Sequence, residues 1–252
     1  MASNAPVALV TRGKADQTEE DPLVSQLQAL SVPVQHIPLV TQQVLKAPGK
    51  MPAPREVDWL VFTSAKAVHY FDCLMSAKEW IKSNAHVAAV GPKTAEAAVS
   101  RGFTVDLVPE NTYTAESLAE ELAAVIRPGD TVVIPKSKQA RKMLPNRLNE
   151  VGANVADPAI YETKARAENA RALAAFLNGN HQGVITFTSP SAVHAFKQMY
   201  PNLPEWPAIC IGTITANAAS EAGFSQVEAA VPHTFASLAE QVSNYMNEVN
   251  NR

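Results

Sequence analysis

WLVFTSAKAVHYF, Trp59 to Phe71, returns later in the chain as VITFTSPSAVHAF, Val184 to Phe196, with Ser64 matching Ser189 at an offset of 125. A second pair follows in the same order: VGPKTAEAAVSRGF from Val90 and IGTITANAASEAGF from Ile211, with Gly91 matching Gly212 at 121. A third pair, SLAEEL at Ser117 and SLAEQV at Ser237, is offset by 120. Nearly constant offsets in unbroken order describe two copies of one strand-and-helix unit with small loop deletions. Function is expected between the copies.

Each copy reads as the same local structure. Trp59 to Phe62 is a short apolar run, the pattern of a strand buried on both faces. Thr63-Ser64 ends it and supplies a capping hydroxyl for a helix from Ala65. In the second copy Pro190 suits the first helical position. The next strands (His86 to Val90; Ala208 to Ile211) end at Gly91-Pro92 and Gly212-Thr213 and open further helices. Gly102 and Gly223 stand where a glycine ends a helix. Helix N-termini therefore gather at the carboxyl ends of strands, where open parallel α/β sheets bind ligands.

A second kind of unit frames the first. VTRGK, leucines and VPVQHIPLV at the start parallel VIPKSK, leucines and ANVADPAIYET near residue 135. The economical pairing joins residues 1–36 to 164–252 as one domain and makes 42–157 the other. Residues 37–41 and 158–163 become two antiparallel connectors, and Thr41 to Val57, rich in proline, has no firm assignment. The expected fold is α/β: two flavodoxin-like parallel-sheet domains on a two-stranded antiparallel connector, which permits hinge motion around a cleft.

Composition limits the function classes. The chain has 252 residues, 46% apolar and 18% charged, with net charge −3. That is an ordinary globular balance, with no general affinity for nucleic acid or membrane. Cys73 and Cys210 lie among apolar residues and read as buried free thiols of a reducing compartment. The start MASNAPVALVTR lacks a signal-peptide pattern, so the expected location is the cytoplasm. No dinucleotide fingerprint, Walker A loop or C-x-x-C occurs. His36, His69, His86, His181, His194 and His233 show no metal-ligand spacing, and the matching positions of His69 and His194 suggest a structural role. No metal or other cofactor is expected. Chemistry by binding and positioning is expected instead of extensive proton transfer.

The candidate residues gather at strand ends. The hydroxyls are Thr63-Ser64, Thr94, Thr188-Ser189 with Ser191, Thr213 and Thr215. They either cap helices only or also line a binding site, together with the backbone of Gly91. Helix N-termini favour carboxylates or phosphates. The basic candidates are Arg12, Lys66 and Lys136, with Lys14, Lys93, Lys138 and Arg141 near similar positions; they are either solvated surface charge or ligand contacts. Arg12 stands out because it directly follows an apolar strand. Tyr161, on the return connector, either packs against a hinge or offers a proton to a ligand.

In their order, these motifs resemble the uroporphyrinogen-III synthase family over nearly the whole chain. The resemblance rests on the VTR start, FTS-x-x-A-V, VG-x-x-T-A with G-F after it, the Ala159-Ile160-Tyr161-Glu162-Thr163 connector, and the second FTS-P-S-A-V and IG-x-x-T-A. One departure is Ala65-Lys66, where the family often has proline after the serine. The resemblance implies two α/β domains on a two-stranded ladder. It implies a linear hydroxymethylbilane substrate closed to uroporphyrinogen III with inversion of ring D. It also implies that no cofactor is needed. Tyr161 is implied to assist departure of the substrate hydroxyl, with Thr63, Ser64, Thr94, Ser189 and Thr215 lining the cleft. The expected partner is this small molecule, with no nucleic acid or membrane, and the expected state is a monomer. The competing expectation is a two-domain anion-binding or sensor protein without catalysis.

Overall fold

The structure is a computed structural model that describes residues 6–13, 21–45, 51–75, 77–179 and 182–250. Lys14 and His181 lie outside the described residues. The strands begin with β1 (Val7–Val10), β2 (Val34–His36), β3 (Val40–Val44), β4 (Trp59–Phe62), β5 (His86–Ala89) and β6 (Thr131–Val133). They continue with β7 (Lys136–Ser137), β8 (Asn154–Ala156), β9 (Ala159–Ala165), β10 (Gly183–Phe187), β11 (Ala208–Cys210) and β12 (Val227–Ala229). The helices start with α1 (Pro22–Ala29), α2 (Ala65–Leu74), α3 (Ala77–Ile81), α4 (Pro92–Val99) and α5 (Ala115–Val125). The remainder are α6 (Met143–Glu150), α7 (Ala170–Leu177), α8 (Pro190–Met199), α9 (Thr213–Ala222) and α10 (Phe235–Asn250).

The chain divides into two compact units, one of Met1–Gln42 with Lys164–Arg252 and one of Gln43–Thr163. The first holds a five-stranded sheet in the order β12-β11-β10-β1-β2 with every pair parallel. The second holds the parallel order β5-β4-β6-β8. A single parallel bridge from Ala88 to Leu107 extends that row beyond β5. The two rows are one layout with the chain cut at different points: β4 stands where β10 does, β5 where β11 does, and β6 and β8 where β1 and β2 do. A third sheet has the order β3-β9-β7.

Burial explains why β4 and β10 are central. All four residues of β4 and all five of β10 are buried. Alternate residues of β4 face opposite sides, Leu60 and Phe62 into one apolar cluster and Trp59 and Val61 into another. Such a strand needs helices on both faces. Each copy fills one face with the same three aromatic rings. Phe62 meets Phe71 and Phe103 edge-on at 5.5 and 5.7 Å. Phe187 meets Phe196 and Phe224 edge-on at 5.6 and 5.4 Å. Gly102 and Gly223 turn the chain into the third ring of each set at φ 90° and 102°, conformations that side chains disfavour.

Three expectations are corrected. Cys210 is buried, but Cys73 is exposed; α2 buries Ala67, Val68 and Phe71, and Cys73 falls on its opposite side. His69 and His194 are both exposed, so their match reflects a shared outer helix face and not a packing role. The stretch from Thr41 is not irregular throughout, because β3 runs from Val40 to Val44. Its sequence VTQQV puts polar residues on both faces, so it lacks the alternation that marks a half-buried strand.

The topology yields a fragment test. Residues 43–163 are expected to unfold in urea as one cooperative unit. Residues 164–252 alone are not, because β1, which sits between β10 and β2, is missing. Far-ultraviolet circular dichroism through a urea titration checks this, and a cooperative transition of 164–252 alone contradicts it.

Candidate active site

In the second unit the chain leaves β4 at Thr63-Ser64. Ser64 is extended at φ −166° and ψ 152°, and its Oγ accepts the Ala67 amide at 3.1 Å, capping α2. Ser189 repeats this in the first unit at φ −164° and ψ 152°, accepting from Ala192 at 3.4 Å. It also shares a hydrogen bond with Ser191 at 2.9 Å, and Pro190 opens α8. Thr63 and Thr188, one step earlier, are half-buried.

The exits from β5 and β11 are a second matched pair. Gly91 and Gly212 are extended, so backbone angle does not demand glycine there. Crowding does. A Cβ on Gly91 would stand 2.8 Å from Tyr113, and one on Gly212 would stand 2.9 Å from the ring of His233. Thr94 and Thr215, at 5% and 4% exposure, lie in the first turns of α4 and α9. Their amides donate to the Gly91 and Gly212 carbonyls at 3.0 and 3.1 Å. Thr213, first residue of α9, is exposed.

Tyr161 sits on β9, where its carbonyl accepts the Lys138 amide at 2.8 Å. The side chain is only 7% exposed. Its ring stacks on Tyr70 with centroids 4.7 Å apart and planes at 24°. Burial pushes the phenol pKa above its ordinary 10.0, while the neighbouring Ser64 hydroxyl pulls part of that rise back.

The basic candidates are held by carboxylates. Lys136, 6% exposed, pairs with Asp157, which also receives Lys142 at 2.7 Å. Burial opposes the Asp157 charge, yet the bonds from the two lysines hold its pKa below the ordinary 3.8. Lys138 pairs with Glu162 at 3.3 Å, and Arg141 with Glu116 at 2.8 Å. Arg12 pairs with buried Asp21, and its guanidinium lies 4.7 Å above the Phe235 ring. Lys66 is exposed.

Of the predicted residues, the structure brings Ser64 near enough to Tyr161 to lower its phenol pKa. Thr63 and Lys136 line one cavity of about 210 Å³ with Ala115, Ile134, Arg141 and Leu144. Gly91 and Thr94 are joined through the start of α4. Arg12, Thr188, Ser189, Ser191, Thr213 and Thr215 belong to the first unit. Sequence reasoning missed Tyr70, the shared carboxylate of Asp157, and Tyr113 and His233. The last two were within reach, since they stand 120 apart, the offset of the third repeat pair. Among the described residues no group of three or more His, Cys, Asp or Glu converges as a metal site. No helix among them is long and apolar enough to cross a membrane.

Parallel α/β units carrying helix starts at their strand ends define a ligand-binding α/β protein. The family described as uroporphyrinogen-III synthase HemD matches residues 21–240, and the chain belongs to that family. A relative in Methanothermobacter thermautotrophicus is 33% identical over 184 residues, 68% of this chain and 72% of its own. The uroporphyrinogen-III synthase of Synechococcus elongatus is 27% identical over 208 residues, covering 79% and 78%. Among solved structures, the fold is similar to a uroporphyrinogen-III synthetase from Helicobacter pylori, with TM-score 0.66 and 19% identity. A mutant uroporphyrinogen III synthase from Thermus thermophilus gives 0.64 and 17%. Each structural match covers 98% of this chain and 100% of the other.

Asp157→Asn is expected to cost about 1–3 kcal/mol at neutral pH, the range for a buried polar group losing its partner. A lowered carboxylate pKa stabilises the fold above the unfolded value and loses that effect as pH falls through the folded one. The gap between wild type and variant should therefore close below pH 3.8. Urea midpoints across acid pH check this, and a gap independent of pH contradicts it.

Proposed function

We propose that this chain closes hydroxymethylbilane to uroporphyrinogen III, inverting ring D and releasing water, with Tyr161 as the proton donor. The activity is that of its family, a lyase of tetrapyrrole biosynthesis. The observation that supports the residue assignment is the buried Tyr161 phenol, stacked on Tyr70 of the helix that starts at Ser64. Loss of the substrate hydroxyl breaks a C–O bond, and the departing oxygen must gain a proton to leave as water. The adjacent pyrrole pushes electrons toward that bond, and Tyr161 supplies the proton. Spontaneous closure gives the uninverted isomer, so orientation of ring D is the main catalytic task.

The helix starts at Ser64 and Gly91 bind substrate carboxylates through free amides and the positive ends of α2 and α4. Thr63, Lys66, Thr94 and Lys136 border the same strand ends. In the first unit Arg12, Thr188, Ser189, Ser191, Thr213 and Thr215 are assigned the same task at the ends of β1, β10 and β11. With most basic candidates already paired to acids, amides are the fitting partners for a substrate rich in carboxylates.

The proposal extends to the architecture. Counted within the first unit, the strand order is the flavodoxin-like one, and the second unit follows the same row. The chain crosses between units at 42–43 and 163–164, within β3 and β9. The Leu39–Arg166 and Leu45–Ile160 backbone bonds run in opposite chain directions, which supports an antiparallel connector. A cytoplasmic monomer that needs no metal or nucleotide completes the reading, and composition and absent motifs support it.

Incubation with hydroxymethylbilane followed by isomer analysis of the oxidised product should give isomer III; isomer I alone contradicts the activity. Tyr161→Phe should slow turnover by about 10²-fold, the low end for a positioned general acid because the leaving group is already activated. Its product should remain isomer III. Ser64→Ala should lose about 1 kcal/mol of stability with the cap, and its rate should fall further than its folded fraction. Full activity of Tyr161→Phe would return Tyr161 to a packing role.

A further inference from the structure

The helix that starts at Ser64 carries a residue in contact with Tyr161. Tyr70, one and a half turns into α2, covers the Tyr161 ring in a stacked arrangement.

The repeat isolates what the stack is for. At the matching position α8 has Ala195, buried at 3% exposure. The two helices otherwise begin alike: Ser64 and Ser189 share their backbone angles and cap their helices the same way. Phe71 and Phe196, one residue further on, make the same edge-on contact with their strands. The shared scaffold therefore packs with alanine at this point in the first unit. What distinguishes the second unit is Tyr161 on β9, against which the extra ring is placed. Burial, Tyr161 and Cys73 push the Tyr70 phenol pKa up. Both stacked rings are thus uncharged near neutral pH, as close stacking needs.

We infer that Tyr70 is a positioning residue for Tyr161, its ring fixing the plane of the phenol so that the hydroxyl stays beside Ser64. The inference rests on the reading of Tyr161 as proton donor. Stacked aromatic pairs are worth more than their buried area alone, and small displacements of a reacting group cost rate steeply.

The test is a set of variants assayed for kcat, KM and product isomer. Tyr70→Ala should lower kcat about tenfold with KM changed less than about twofold. Tyr70→Phe, which keeps the ring, should stay within about twofold of wild type. In a Tyr161→Phe background, Tyr70→Ala should cost less than about twofold, because the hydroxyl it aims is gone. If the alanine variant folds poorly, Tyr70→Leu keeps bulk without the stack and takes its place. A Tyr70→Phe loss as large as that of Tyr70→Ala, or a Tyr70→Ala loss undiminished beside Tyr161→Phe, overturns the positioning role alone. Full activity of Tyr161→Phe overturns the proton-donor reading and this inference with it.

Discussion

A strand buried on both faces can leave its sheet only if the polar groups at its end find partners, and this constraint shapes the candidate site. Buried backbone donors and acceptors left unpaired are costly. At the end of β4 the solution is Ser64, extended, with Oγ turned back onto the Ala67 amide. The first unit solves the same problem identically at Ser189. The acceptor role of Ser64 fixes the helix start.

The charges support a related point. Lys136, Lys138, Arg141 and Arg12 each pair with an acid of this chain. A site that relied on them for an anionic ligand would first have to break those pairs. Helix starts at Gly91 and Gly212 are held instead by close packing, with Tyr113 and His233 leaving no room for a side chain.

The repeat made much of the fold legible, because matched offsets also match strands. β4 and β10 are runs whose burial is written in composition, and Phe62, Phe71 and Phe103 recur as Phe187, Phe196 and Phe224. What the sequence concealed depends on three-dimensional neighbours. Lys136 reads as a surface cation until Asp157 and Lys142, from other elements, are seen beside it. Cys73 sits in an apolar run, and only the phase of α2 reveals that it faces outward. β3 lacks alternation since neither of its faces is strongly apolar. Tyr70 looked like one more ring on a helix, and its pairing with Tyr161 joins a helix and a strand far apart in sequence.

The central claim is that the Ser64–Tyr161 pair meets the reacting end of the substrate while helix amides hold its carboxylates. The most direct measurement is a crystal structure of the full chain with uroporphyrinogen III bound. The account predicts the Tyr161 hydroxyl within hydrogen-bond reach of the closed ring at its last-formed bond, and carboxylates on the amides at the start of α2 or α4. Product bound with no contact to residues 63–64, 91 or 161 would contradict it.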